Sequence, residues 1–318
     1  MTKFVHFLKE WMLPIAIVTG AAAYLIYYYT PALRPLGPVC NKLASTGQRW
    51  VIAILLFFQF VKTSPHDLKL QRWHLYLILF QCLSFVGIGL LTVMTPEGDV
   101  RILLECAMLC FICPTASAAG VITERLGGNL HGTVTYLLLI NTAATFLIPT
   151  VIPLVNPSST QTFWQYVLSL ALRIFPLLLG PCFLAWIIRY TTKKLQRTLM
   201  RWSANSFYVW GVGLMLAILL STKALLHSHM SPGAVFCIVL VSLACTAIQF
   251  FLGRKSGRGR DERITAGQAL GQKNTGFLIW LGYTYMTPVT SIAGGLYAIW
   301  QNLFNSWELY QHEHGRSL

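Results

Sequence analysis

Charge is what this chain has least of. Asp and Glu number 10 and Lys and Arg 24 in 318 residues, 11% in all, whereas a water-soluble domain carries about a quarter. So little polar surface cannot cover a globule in water. Sustained period-two alternation is missing as well, which argues against a lipid-facing barrel. The apolar runs are long and unalternating instead, and helices are the other structure that satisfies its own backbone in lipid. A disulfide framework is also absent. The eight cysteines lie almost all inside apolar runs, with neither paired nor zinc-type spacing. Cys106, Cys110 and Cys113 could share one helix face, open to a soft metal or to plain packing. No cleavable leader is expected, because the run 11–29 is too long for a signal core.

What is present is a series of hydrophobic segments separated by basic loops. The net charge of +14 would suggest nucleic acid in a soluble protein. Here the cations sit between apolar segments and read as a topology signal. Ten candidate spans follow, at 11–30, 44–62, 73–94, 101–125, 130–153, 164–190, 204–222, 232–252, 264–283 and 286–306. With a cytoplasmic N-terminus, seventeen loop cations fall inside, from Lys3 and Lys9 to Arg316, and five outside: Arg34, Lys42, Arg49, Arg101 and Lys223. The expectation is a multi-pass protein with both termini cytoplasmic.

The uncharged loop 155–163 divides the chain near its middle. Residues 1–156 and 157–318 then form two five-helix repeats. Five is odd, so the second is inverted in the membrane. The predicted fold class is an all-α membrane protein of ten transmembrane helices, with the fourth and ninth broken and no soluble domain between spans.

Two polar interruptions carry the functional argument. In the fourth span, Cys113-Pro-Thr-Ala-Ser-Ala-Ala-Gly120 places Pro114 beside the hydroxyls of Thr115 and Ser117. Proline removes a backbone donor and disrupts the helix, although a proline kink patched by those hydroxyls is the simpler alternative. In the ninth span, Ala269-Leu-Gly-Gln-Lys-Asn-Thr-Gly276 interleaves glycines with Gln272, Lys273, Asn274 and Thr275. Paired breaks in two halves of a chain point to a carrier's binding site. An intramembrane cation such as Lys273 is a functional-site hypothesis unless it snorkels to an interface. Arg173, in the sixth span, would meet an anionic substrate, pair inside the bundle or mark a more interfacial position. Carboxylates are nearly absent from the spans: Glu105 and Glu124 lie near the ends of the fourth, and the ninth has none.

These residues resemble the bile acid:sodium symporter superfamily, whose ten helices form two inverted repeats with crossed fourth and ninth helices. The resemblance covers nearly the whole chain in layout. At motif level it rests on Cys-Pro-Thr-Ala-Ser at 113–117, Gly128-Asn129, Gln81 and Gly-Gln-Lys-Asn-Thr-Gly at 271–276. It implies ion-site roles for Gln81 and Thr133, and a crossover serine at Ser117 followed by Ala118 where the family has asparagine. A second fifth-helix hydroxyl of the family is replaced by Leu137. In the ninth helix, the family's glutamate and glutamine positions are occupied by Ala269 and Lys273, followed by the matching Asn274. The sodium carboxylate is therefore gone and a cation stands nearby.

The expectation is that the Lys273 ammonium occupies the space of a bound sodium, close to Gln81. Either a permanent charge makes the carrier sodium-independent, or a desolvated lysine loads and releases a proton. Thr115, Ser117, Ala118, Asn274, Thr275 and Arg173 are the candidate substrate contacts. Lys273, Gln81, Gln272 and Thr133 are the candidate ion-coupling residues. The expected cargo is a small organic anion, such as a steroid-like, keto or pantothenate-like acid. The expected setting is a bacterial inner membrane, with the lipid bilayer as partner, no nucleic acid and no cofactor. Other readings are a sodium-coupled symporter, an arsenite or oxyanion extruder using Cys113, and a non-transporting sensor. No acid–base pair or nucleophile constellation suggests an enzyme.

Overall fold

The structure, a computed structural model, describes residues 2–228 and 230–314; Arg316, counted above among the cytoplasmic cations, lies outside the described residues. Fourteen α-helices account for most of them: α1 (Thr2–Tyr29), α2 (Gly37–Lys62), α3 (Arg72–Met94), α4 (Asp99–Ile112), α5 (Ala119–Arg125), α6 (Leu130–Val155), α7 (Phe163–Leu178), α8 (Gly180–Thr191), α9 (Lys193–Trp202), α10 (Ser206–Leu226), α11 (Pro232–Ser256), α12 (Arg260–Gly271), α13 (Thr275–Tyr285) and α14 (Ser291–Glu313). No strand occurs among the described residues.

Each predicted apolar segment is helical, with shifted ends. The second begins at Gly37 rather than 44. The tenth runs from Ser291 to Glu313 rather than 286–306. The sixth divides into α7 and α8, bent by 41° where Pro181 opens α8. A proline there cannot extend the preceding ladder of hydrogen bonds. The segment after 190, read as a basic connection, is the separate helix α9.

By length and composition, five helical stretches could cross a membrane: Pro31–Lys62, Arg72–Met94, Leu130–Val155, Lys193–Leu226 and Pro232–Ser256. The bent α7–α8 pair makes a sixth. Among the described residues the other segments do not qualify on that criterion, Pro14–Tyr29 being a shorter apolar stretch, so the count of ten is not reached by helix length alone. The reason is specific for the two broken spans. Neither α4, with 14 residues, nor α13, with 11, exceeds about 21 Å at 1.5 Å per residue, against a hydrocarbon core of about 30 Å.

The distribution of polarity is inverted relative to a water-soluble protein. On α3, Leu75, Leu79, Leu83 and Leu90 are exposed, while His74 and Gln81 are buried. On α11, Phe236, Leu240 and Phe251 face outward, while Ser242, Thr246 and Gln249 are buried. Apolar outside and hydrogen-bonded polar inside is what lipid selects. Many of the buried groups are paired, although both side-chain atoms of Asn141 and Oε1 of Gln249 have no partner among the described residues. His74 Nε2 donates to Gly132 O at 2.9 Å while its Nδ1 accepts from Gln71 N at 2.9 Å, which fixes the tautomer. Gln249 Nε2 donates to Cys110 O, Cys245 O and Tyr297 Oη, each at 3.2 Å.

Tight contact between α11 and α12 depends on glycine. A β-carbon at Gly271 would overlap the Phe250 ring, and one at Gly253 would come within 2.5 Å of Ala266 O. These glycines let α12 lie against α11 so that its end reaches the middle of the bundle.

Candidate functional site

The two breaks meet. The residue before a proline is driven out of the helical region, and Cys113 accordingly has φ −50° and ψ 126°. Across from it, Gln272 is extended after Gly271, and Asn274 restarts the chain as the N-cap of α13, its Oδ1 accepting from Phe277 N at 3.2 Å. The extended residues pair antiparallel, Thr115 opposite Lys273. Ala116 N donates to Gln272 O at 3.0 Å, and Asn274 N donates to Pro114 O at 2.8 Å.

Breaking two helices releases backbone groups that must be satisfied, and the neighbouring helices supply the partners. Gln81 Nε2 donates to Cys113 O at 3.0 Å, Thr115 Oγ1 to Ala269 O at 2.6 Å, and Tyr297 Oη to Gly271 O at 2.8 Å. Lys273 N donates to Gln301 Oε1 at 2.8 Å.

Lys273 is 0% exposed, so it does not snorkel to an interface. Its Nζ has no hydrogen-bond partner among the described residues. The groups within its electrostatic reach are the thiols of Cys82 on α3, Cys110 and Cys113 on α4 with its C-cap, and Cys245 on α11. The expected proximity to Gln81 takes a different form. Gln81 spends its amide on Cys113 O and accepts from Tyr136 Oη at 2.7 Å, so no hydrogen bond joins it to Lys273.

A cavity of about 610 Å³ lies against the crossing and extends to the end of the bundle that carries Lys62 and Arg125. Ser117, Ala118, Gln272, Asn274 and Thr275, all named from sequence, line its floor, and Lys273 lies in the same wall with its side chain fully buried. Gln48 and Gln59 of α2 and Asn305 of α14 add amides, while Phe58, Phe207 and Trp210 add aromatic wall. No Asp or Glu occurs among the described residues lining it. The amino end of α13, at Thr275 and Gly276, faces it with the partial positive charge of a helix start.

Four predicted site residues are not brought to this cavity: Gln81, committed to Cys113 O and Tyr136 Oη, and Arg173, Thr115 and Thr133. Arg173 is exposed on α7, because the face of α7 that packs inward is Leu170, Ile174, Leu177 and Leu178. Thr115 is fully buried with its hydroxyl committed to Ala269 O; it builds the crossing instead of lining the cavity. Thr133 pairs with Thr123 Oγ1 at 2.9 Å, joining α6 to α5. Cys113 is also buried, its thiol donating to Asn274 O at 3.1 Å.

Sequence reasoning missed a polar cluster beside the cavity. Glu308 on α14 is paired with Arg254 of α11, its carboxylate 2% exposed, and also accepts from Gln268 Nε2. Gln268 accepts in turn from Gln272 Nε2, and both amides reach Asn305 Oδ1 at 3.3 Å. The signal was readable: Gln301, Asn305 and Glu308 lie at i, i+4 and i+7, on one helix face. Ending the last span at 306 left the carboxylate outside it. The ninth span has no acid of its own, yet α12 packs against one.

No protein-family model and no curated protein matches this chain.

On the far side of the crossing a second cavity, of about 500 Å³, is bounded by Asp99 and Ile102 of α4, by Lys223 and His227 at the end of α10, and by Tyr283. The first cavity meets α10 at its beginning, Ser206 and Phe207. The first cavity runs along α10 as far as Leu214 and the second touches its last turn, so the two hollows lie along different halves of one 21-residue helix, with the crossed breaks between them.

Proposed function

We propose that this chain is a secondary carrier for an organic anion, built as ten membrane crossings in two inverted five-helix repeats and working by alternating access around the crossed breaks. The observation that carries the reading is the cavity floor: an acid-free hollow at mid-bundle with amides and hydroxyls set in a largely apolar wall, formed by two interrupted helices, with Lys62 and Arg125 at its open end. Interrupted helices from two repeats meeting at a binding site are the signature of such carriers.

Helix neighbours support the repeat. α3 packs on α4 and α6, and α11 packs on α12 and α14. α1 packs on α10, and α8 with α7 packs on α2. Each pair maps onto the other if residues 157–318 repeat the arrangement of 1–156. The layout agrees with the resemblance to the bile acid:sodium symporter superfamily, in a bacterial inner membrane with both termini cytoplasmic.

The carrier operates without sodium. The position where the resemblance calls for a carboxylate is Ala269, and the ammonium of Lys273 is buried beside the same crossing. A sodium ion about 4 Å from that ammonium would be opposed by about 4 kcal/mol at an effective dielectric near 20. Lys273 thus takes the place of the coupling ion, as a fixed charge or as a carrier of one proton.

The test is uptake into proteoliposomes of a radiolabelled panel: a steroid carboxylate, a keto acid and pantothenate, in sodium-free buffer. At least one is expected to accumulate saturably. Thr275→Trp, which fills the cavity floor, is expected to lower that uptake at least tenfold while the protein remains monodisperse. Equal uptake by wild type and Thr275→Trp would remove the cavity from the mechanism. No saturable uptake of any anion would remove the cargo class.

A further inference from the structure

Helix α9 has no role in the crossing or in the cavity floor, yet its residues are strictly sorted. Lys193, Lys194, Arg197 and Arg201 fall at i, i+1, i+4 and i+8, on one side of the helix. Leu195, Leu199 and Trp202 fall at i, i+4 and i+7, on another. All four cations are exposed. Leu199 packs on the main core, while Leu195 and Trp202 remain 43% and 62% exposed.

No described acidic residue pairs with this charge. None of the four cations forms an ion pair among the described residues, and no Asp or Glu occurs in the sequence between Glu124 and Asp261. A soluble surface helix with this composition would ordinarily carry acidic partners at i±4. α9 is placed between two apolar helices, α8 and α10, and packs on α8 and α2. α9 runs on through a 3₁₀ turn into α10 as one helical stretch, Lys193–Leu226, so its cations stand at the start of a spanning stretch, where the hydrocarbon stops and headgroups begin.

We infer that α9, the charged start of the stretch Lys193–Leu226, is an anchor that binds the anionic phospholipid headgroups of the leaflet at the Lys62–Arg125 end. A helix start with one cationic and one apolar side fits the boundary between headgroups and acyl chains, with the exposed Leu195 and Trp202 against lipid and the four cations held among phosphates. Membrane leaflets rich in acidic lipid attract such clusters. The anchor is also the rim of the large cavity. The chain leaves α9 through a 3₁₀ turn, Ser203–Asn205, and Ala204, Ser206 and Phe207 line the cavity mouth. Lipid charge at α9 thus fixes the wall through which a ligand enters. This inference needs only the membrane setting and stands whether or not the cargo is an organic anion.

The experiment uses the purified full chain in a neutral detergent, titrated with phosphatidylglycerol or phosphatidylcholine, with bound lipids counted by native mass spectrometry. Wild type is expected to prefer phosphatidylglycerol by about tenfold or more, and the preference to shrink as salt is raised. K193Q/K194Q/R197Q/R201Q keeps helix-forming side chains and is expected to lose the preference. R258Q/R260Q/R263Q, which removes three cations at another site, is expected to keep it. K193R/K194R, which preserves charge, is expected to bind as wild type does and reports on the site even where the quadruple variant does not fold. The inference is overturned by an equal preference in the quadruple variant, by equal losses in both glutamine sets, or by loss of the preference in K193R/K194R. An altered oligomeric state with an unchanged lipid count would also overturn it, because a second copy would then occupy α9.

Discussion

Replacing Lys273 is expected to stop transport and to open the protein to sodium. Proteoliposomes with Lys273→Ala should lose anion uptake at unchanged protein content. Lys273→Met should lose it too, since methionine keeps most of the buried stem and removes only the charge. In thermal unfolding, wild type should be indifferent to Na⁺, while Lys273→Gln, which restores a neutral amide, should gain stability as Na⁺ is added. A ligand that binds only the folded state stabilises it by about 2.7 kcal/mol at a hundredfold excess over its Kd, which is readily visible in a melt. The contrast should be large because about 4 kcal/mol of repulsion weakens a cation's binding by about a thousandfold. If wild type itself is stabilised by Na⁺, the reading of Ala269 as a lost sodium ligand fails and a sodium-coupled carrier takes its place. If Lys273→Met transports normally, the ammonium has no part in coupling.

The second large effect is on folding. Arg254 and Glu308 form an ion pair in which the carboxylate is almost wholly buried and the guanidinium is 21% exposed. Arg254→Ala would leave that carboxylate with only Gln268 as a donor. Stranding one member of a buried pair costs about 3–5 kcal/mol, and the partial exposure of Arg254 reduces this to about 2–3 kcal/mol. Arg254 also lies over Phe304 and Trp307, at 5.7 and 6.0 Å from the ring centroids, so some of the loss is packing. The double variant Arg254→Met, Glu308→Leu should be milder than Arg254→Ala alone, because it leaves no charge unpaired. Melting curves of Arg254→Met, of Glu308→Leu and of the double give the coupling directly. Additive losses would mean that the pair is not a unit.

The helices were largely legible in the sequence because lipid imposes one simple rule, and each apolar run that obeys it became a helix. The breaks were legible for a different reason. Pro114 cannot donate, and Gln272-Lys273-Asn274 offers polar side chains that lipid would reject. Both signals are local. What the sequence did not reveal depends on rotation about a helix axis. Arg173 looked central from its place in the run, but the neighbouring leucines and Ile174 pack inward and leave it outside. Thr115 and Thr133 have the right chemistry for ligands, yet their hydroxyls are consumed by Ala269 O and Thr123. Glu308 was overlooked because the hydrophobic run fades before it, whereas the helix continues to Glu313.

The crossing has a mechanical corollary. The two halves of the chain are tied at mid-bundle by Ala116 N to Gln272 O and Asn274 N to Pro114 O, bonds made entirely by main chain. Side-chain substitution at these four positions cannot delete them, and only proline at 116 or 274 removes a donor. The knot is thus insensitive to most point mutation, while the walls on either side, made of side-chain contacts, remain free to vary. Helices that tilt about such a joint turn around it rather than slide past it. The middle of the protein then behaves as a hinge pin, and sequence change can retune the two chambers without loosening their shared axle.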